Sequence, residues 1–142
     1  MGETPEFVYR ISTKEEWDEL QKNGSTFGGE IDKSTACFHL SKLNQVKSTL
    51  ENFFKGREDL YLLQIDSKKL GDGLVYESVD STNYFPHFYG PSRTYIPLPL
   101  DAVVKAEKLT LSGGQFSCSF LADSTLDAQL GYGRSVIWPP AI

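Results

Sequence analysis

The 142-residue sequence predicts an α+β fold, two early helices packed on a mixed, mostly antiparallel split sheet. Three observations lead to the α+β class. Apolar residues recur at helical spacing in two stretches, both before residue 55. Short runs rich in β-forming residues occupy most of the remainder, and turn-forming glycine, asparagine and proline clusters separate them. With 39% hydrophobic, 13% aromatic and 23% charged residues, the composition is globular, and the length suits one core, hence a single domain over residues 1–142.

The elements follow in order. In "EFVYRI" the alternation puts Phe7, Tyr9 and Ile11 on one face and Val8 and Arg10 on the other, which reads as a strand. Thr13 followed by Glu16 forms a capping box, and "KEEWDELQKNG" carries Trp17 and Leu20 at helical spacing up to Asn23-Gly24. Residues 24–35, "GSTFGGEIDKST", lack periodicity and read as a loop. "ACFHLS" resumes as a strand with Ala36, Phe38 and Leu40 on one face and Cys37, His39 and Ser41 on the other. Ser41 then caps a second helix whose apolar stripe is Leu43, Val46, Leu50, Phe53 and Phe54, ended by Gly56.

"LYLLQID" is nearly continuous in apolar residues, as a strand buried on both faces would be, and "GLVYES" is a shorter strand after Gly71-Asp72-Gly73. "DSTNYFPHFYGPSR" reads as a rigid aromatic loop. "TYIPLPL", with two prolines, suits an edge or extended segment. "AVVKAEKLTL" reads as one strand with Val104 and Ala106 opposite Val103 and Lys105, and "SGG" turns the chain into an antiparallel partner, "QFSCSFL". Beyond it the chain shows no periodicity, with Trp138 and Ile142 as candidate anchors.

Charge and composition exclude several classes. A formal charge of −5 and a pI near 5.0 argue against tight nucleic-acid binding, which needs a lysine and arginine surface to release counterions. No run approaches the roughly 20 apolar residues of a membrane span, and "MGETPEFVYR" lacks a secretory signal's basic start and apolar run. The residues after Gly2 do not match a myristoylation signal, so the expectation is a cytoplasmic protein without a membrane partner. Cys37 and Cys118 stand alone, without a C-x-x-C spacing, and read as buried thiols.

The chemistry-bearing residues are few. Strand alternation makes His39 and Ser41 look out from one face, with Ser41 at a helix start where anions are favoured, and Arg10 faces away from its apolar neighbours. Each has an ordinary alternative: a salt-bridged arginine, a hydrogen-bonded core histidine, a helix cap. Glu77 ends a strand, where it is either solvated or at a cleft mouth. His87, between Pro86 and Phe88 in a stiff aromatic run, is either packing or a pre-organised imidazole. The histidine spacing fits no metal motif, no G-x-S-x-G nucleophile elbow is present, and the glycine clusters match no phosphate loop, so no metal site is expected.

Together "VYRISTKEEW", "ACFHLSKLNQV", "FFKGREDLYLLQID", "LVYES" and "FPHFYGP...IPLPLDAVV", in this order, resemble the family of domain of unknown function 952 over about residues 7–116, leaving about 117–142 as an extension. The resemblance implies a fold similar to the ADP-ribosyltransferase superfamily, which includes enzymes that bind NAD between two small sheets and a tRNA 2′-phosphotransferase. It implies catalytic roles for Glu77 and His87, and cofactor-binding roles for Arg10, His39, Ser41 and Tyr89. The family pattern has an imidazole where this chain has Arg10. NAD or a related nucleotide is then the expected substrate, Glu77 stabilising an oxocarbenium ion or Arg10 and the histidines holding phosphate oxygens. The alternatives are a non-catalytic module for a nucleotide or small anionic metabolite, and a structural protein whose "FPHFYGP" run only plugs the sheet.

Overall fold

The computed structural model describes residues 6–78 and 83–120. In chain order these form β1 (Phe7–Thr13), α1 (Lys14–Asn23), β2 (Ser25–Thr26), α2 (Glu30–Thr35), β3 (Phe38–His39), α3 (Leu43–Phe53), β4 (Leu60–Asp66), α4 (Ser67–Leu70) and β5 (Leu74–Ser78). Then follow β6 (Tyr84–Phe88), β7 (Leu98–Pro99), β8 (Val103–Lys108), β9 (Thr110–Ser112) and β10 (Gln115–Ser117). The architecture is α+β, and every strand pair among the described residues is antiparallel.

Two three-stranded sheets dominate, ordered β1-β4-β8 and β3-β6-β5, with two short ribbons, β2-β7 and β9-β10. A single bridge joins the larger sheets: Tyr9 and Ser41 exchange both backbone hydrogen bonds at 2.8 Å. The central strand β4 is buried on both faces, as its apolar run implies. On one face Val8, Leu63 and Ile65 pack with Leu20 of α1 and with Phe38 and Phe88 of the second sheet. On the other, Tyr9, Ile11, Leu60 and Leu62 pack with Val46 and Leu50 of α3 and with Phe116 and Phe120. Arg10 pairs with Leu63 in the strand register and so shares the first of these faces, toward the second sheet and not toward solvent.

Local chemistry explains the boundaries. The Thr13 hydroxyl accepts the Glu16 N–H at 3.1 Å, and Gly24 ends α1 at φ 80°, where glycine has no Cβ penalty. The expected return arm of the capping box is absent, because the Glu16 carboxylate turns to Arg10. The β9-β10 hairpin turns through Gly113 and Gly114 at φ 57° and 81°, the left-handed pair that suits a tight two-residue turn.

Several expectations are corrected. Residues 24–35 are not a loop: Ser25–Thr26 pairs with Leu98–Pro99, and Glu30–Thr35 is helical because the Asp32 carboxylate accepts the Gly29 N–H at 2.8 Å. Four α-helices, not two, are present among the described residues. Ala36 leaves the expected alternation because it caps α2 at φ 61°. Lys42, not Ser41, precedes α3, its N–H donating to the Gln45 side chain, and Phe53 falls outside the buried stripe at 73% exposed. A bulge between Gln64 and Ile65 shifts the β8 register, so Val103 and Ala106 both pack on the core while Val104 is 56% exposed.

The largest correction is "YFPHF", which forms the central strand of the second sheet. Proline is tolerated because the Pro86 carbonyl takes the Leu40 N–H, while its missing donor faces the side where two-residue β3 ends. Trp138, Ile142 and the extension from residue 121 lie outside the described residues.

Gly73 sits where an added Cβ would strike the Tyr89 carbonyl, and its own carbonyl accepts the Tyr89 N–H at 2.9 Å. Gly73→Ala is therefore expected to part β5 from the end of β6 and cost about 2 kcal/mol or more, read as a lower urea midpoint with unchanged slope.

Candidate functional site

The second sheet has two chemically opposite faces, and strand register decides which residues share each. Phe38 pairs with Phe88, and Phe88 with Leu74, placing these three on the core side. One residue along, His39 pairs with His87, and His87 with Val75, on the other side. Glu77 and Tyr89 lie two residues from Val75 and His87 and join that second face. The two imidazoles meet edge to face with ring centroids 5.0 Å apart. The histidine side chains are 35% and 15% exposed, His39 the more open.

Each imidazole is anchored through Nδ1 to a carboxylate. His39 Nδ1 lies 3.0 Å from Asp32 Oδ1, and His87 Nδ1 lies 2.6 Å from Glu77 Oε1. Burial alone would raise the Asp32 pKa, but hydrogen bonds from His39, Arg10 and the Gly29 N–H, with the guanidinium charge, hold it well below the usual carboxylate range. Burial likewise opposes the Glu77 charge, yet hydrogen bonds from Arg93, His87 and Tyr89 bring its pKa down to about 2. Ionised carboxylates only accept, so each Nδ1 donates and each Nε2 is the atom left for other chemistry. His87 Nε2 has no hydrogen bond among the described residues, and His39 Nε2 has only a long one, 3.4 Å, to Thr35 Oγ1.

Behind His39 stands a buried ion network. Arg10 Nε and Nη2 donate to Glu16 at 2.9 and 2.7 Å, and Nη1 and Nη2 donate to Asp32 at 3.0 and 2.7 Å. The remaining Nη1 hydrogen goes to the His39 carbonyl at 3.1 Å. All five guanidinium donors are thus engaged. Burial disfavours the Arg10 charge, but Glu16 and then Asp32 outweigh it and raise the pKa further. The expectation that Arg10 holds a ligand meets a guanidinium with no donor to give; its place is behind Asp32.

Beside His87 stands a second, more open group. Tyr89 Oη donates to Glu77 Oε1 at 2.7 Å, and Arg93 Nη2 donates to Glu77 Oε2 and to Tyr89 Oη, each at 2.7 Å. The guanidinium lies over the Tyr89 ring at 4.1 Å from its centroid. Burial, and then the bond to Glu77, push the Tyr89 hydroxyl up, so it stays a donor.

Of the six residues singled out in the sequence, His39, Glu77, His87 and Tyr89 meet on one face of the sheet, and Arg10 reaches it through Asp32. Ser41 is 4% exposed and pairs by its backbone with Tyr9, so its part is to join the sheets. Sequence reasoning missed Asp32, Glu16 and Arg93. Asp32 sits in a stretch with no periodic signal, Glu16 looked complete as a capping residue, and Arg93 lay at the end of a stretch read as a loop. No cluster suited to a metal ion occurs among the described residues, and no helix of theirs is long and apolar enough to cross a membrane.

The geometry defines an α+β protein with two split antiparallel sheets and a pair of carboxylate-anchored histidines on one of them. The chain belongs to the family described as "Protein of unknown function (DUF952)", whose model matches residues 11–106, in keeping with its sequence motifs. The crystal structure of protein CC0527 from Caulobacter crescentus is 28% identical with a TM-score of 0.72, covering 84% of this chain and 98% of that one. A crystal structure of its double-methionine variant, 27% identical, gives 0.71 over the same shares. The solution structure of CC0527 gives 0.66 at 28% identity, covering 79% and 91%. No curated protein matches the chain.

Two measurements test this network. Arg10→Ala strands two buried carboxylates and is expected to cost about 3–5 kcal/mol, seen in urea unfolding. A carboxyl with a depressed folded pKa stabilises fully above its unfolded value and loses that contribution as pH falls through the folded one. For Glu77 the window runs from about 4.5 down to about 2. Glu77→Gln should flatten that stretch of the stability–pH curve; an unchanged acid limb would show that Glu77 is not held as described.

Proposed function

We propose that this protein binds a phosphorylated small molecule against the His39–His87 face and uses the two imidazoles to move protons in phosphoryl-group chemistry. One observation carries the reading: two histidines paired across adjacent strands, 5.0 Å between rings, each with Nδ1 bound to its own carboxylate. A packing histidine needs no such arrangement. Anchoring at Nδ1 settles the tautomer and the ring plane, which general acid–base catalysis requires, and two rings in contact can serve one as acid and one as base. Phosphoryl transfer asks the protein mainly for positioning and for cations near developing charge, and this face combines both.

The ADP-ribosyltransferase-like fold that the family resemblance implies makes NAD and related nucleotides the first compounds to try. Glycosyl transfer is the weaker reading, because both Glu77 oxygens are committed to His87, Tyr89 and Arg93 and leave none aimed at a sugar cation. Glu77 therefore enters as the carboxylate that orients His87, and Arg10 as the cation that orients Asp32. We read the chain as one domain, with the two sheets joined at Tyr9 and Ser41, and as cytoplasmic, in keeping with two cysteines that form no disulfide with each other.

The test is an NMR titration of the two histidine Cε1–H resonances with AMP, ADP-ribose, NAD and NADP, followed by chromatography for phosphate, nicotinamide or nucleoside release. Both resonances should move with at least one compound, and His87→Asn should slow its turnover by roughly 100-fold or more. Resonances that ignore every phosphate-bearing compound would end this reading.

A further inference from the structure

Two arginines stand beside the histidine pair, and they differ in what they have left to offer. Arg10 has no hydrogen to spare. Arg93 donates only through Nη2, to Glu77 and Tyr89, so its Nε–H and both Nη1 hydrogens have no partner among the described residues. Its side chain is 59% exposed, against 7% for Arg10.

The position of Arg93 is built. Glu77 grips His87 with one oxygen and Arg93 with the other, so imidazole and guanidinium are held on two sides of one carboxylate. The Tyr89 ring supports the guanidinium from beneath, restricting a side chain that would otherwise sweep solvent. The backbone is committed as well. Ser92 and Arg93 both take positive φ, 56° and 60°, a conformation few residues other than glycine adopt. The turn is closed by Gly90 N–H to the Thr94 carbonyl at 2.6 Å and by Arg93 N–H to the Gly90 carbonyl at 3.1 Å. A Cβ on Gly90 would come within 2.5 Å of Ile96 Cγ2, so the turn is packed in place from below. A surface ion pair alone explains none of this shaping.

We propose that Arg93 is the anion-recognition residue of this site, taking phosphate oxygens of the ligand on its free Nη1 hydrogens while Nη2 stays on Glu77 and Tyr89. The assignment rests on the proposed function in one respect, that the ligand bears phosphate. It moves the role of phosphate contact from Arg10, where the sequence suggested it, to a residue sixteen positions past Glu77. Phosphate suits these donors because its several oxygens accept from separate N–H groups at once.

Inorganic phosphate and AMP are titrated into the wild-type chain, Arg93→Ala, Arg93→Lys and Arg57→Ala, with adenosine as the uncharged control and the histidine Cε1–H resonances as readout. Arg57 is an exposed arginine paired with Asp59 and removes the same charge away from this face. Arg93→Ala is expected to weaken phosphate and AMP by about tenfold or more, with Arg93→Lys between it and wild type. Arg57→Ala and the response to adenosine should stay unchanged. Equal affinity in wild type and Arg93→Ala, with binding abolished by His39→Ala, would overturn the Arg93 assignment and leave the histidine site standing. An equal loss in Arg57→Ala would reduce the effect to general charge and overturn the assignment too. No response of the wild-type protein to phosphate or AMP would overturn the Arg93 assignment, and silence toward ADP-ribose, NAD and NADP as well would bring down the proposed function with it. The amide spectrum of each variant shows that its fold is retained, and Arg93→Lys preserves the charge should Arg93→Ala fold poorly.

Discussion

The Asp32 carboxylate ties β1, α2 and β3 together at one point. Oδ2 accepts from Arg10 and from the Gly29 N–H that starts α2; Oδ1 accepts from Arg10 and from both the backbone and the ring of His39. Without it β1 would bury an arginine opposite Glu16 alone, α2 would lose its first turn, and His39 would be free to rotate. Buried charges are expensive to desolvate, and such groups persist where every donor and acceptor is matched. Here one carboxylate accepts five hydrogen bonds, so moving any one partner disturbs the rest.

The second sheet converts that rigidity into a surface. Because side chains alternate, the residues that pack Phe38 and Phe88 into the core place His39 and His87 outward, and the pairing of β3 with β6 brings their rings together. The apolar face thus sets the position of the polar one. Gly73 lets the Tyr89 backbone close on β5, and the turn at Gly90 returns Arg93 over the Tyr89 ring. Arg10 behind and Arg93 beside the pair perform different tasks for a simple reason: a guanidinium surrounded by acceptors can only hold, whereas one with donors left over can also recognise.

How legible was this in the chain? Helix α1 was readable because Thr13, Trp17, Leu20 and Gly24 act locally, within one or two turns. The β9-β10 hairpin was readable because two glycines in succession announce their turn. The stretch holding α2 was not, since its helix depends on an acid whose partners come from β1 and β3. "YFPHF" misled through its proline, and only the short neighbour β3 makes a proline acceptable in a central strand. The bulge in β8 arises from pairing with β4 and leaves no mark in the alternation of Val103 to Ala106.

The sequence by itself determined the class of fold, the family, and the alternation that sets His39 opposite Phe38 and Leu40, because that alternation is a property of the backbone. Tertiary structure alone decided what His39, His87, Glu77 and Tyr89 do to one another. Register brought the two imidazoles within 5.0 Å, and burial enclosed Arg10 among acceptors while leaving Arg93 open. The roles of the two arginines follow from what surrounds each guanidinium, and those surroundings come from segments distant in the chain.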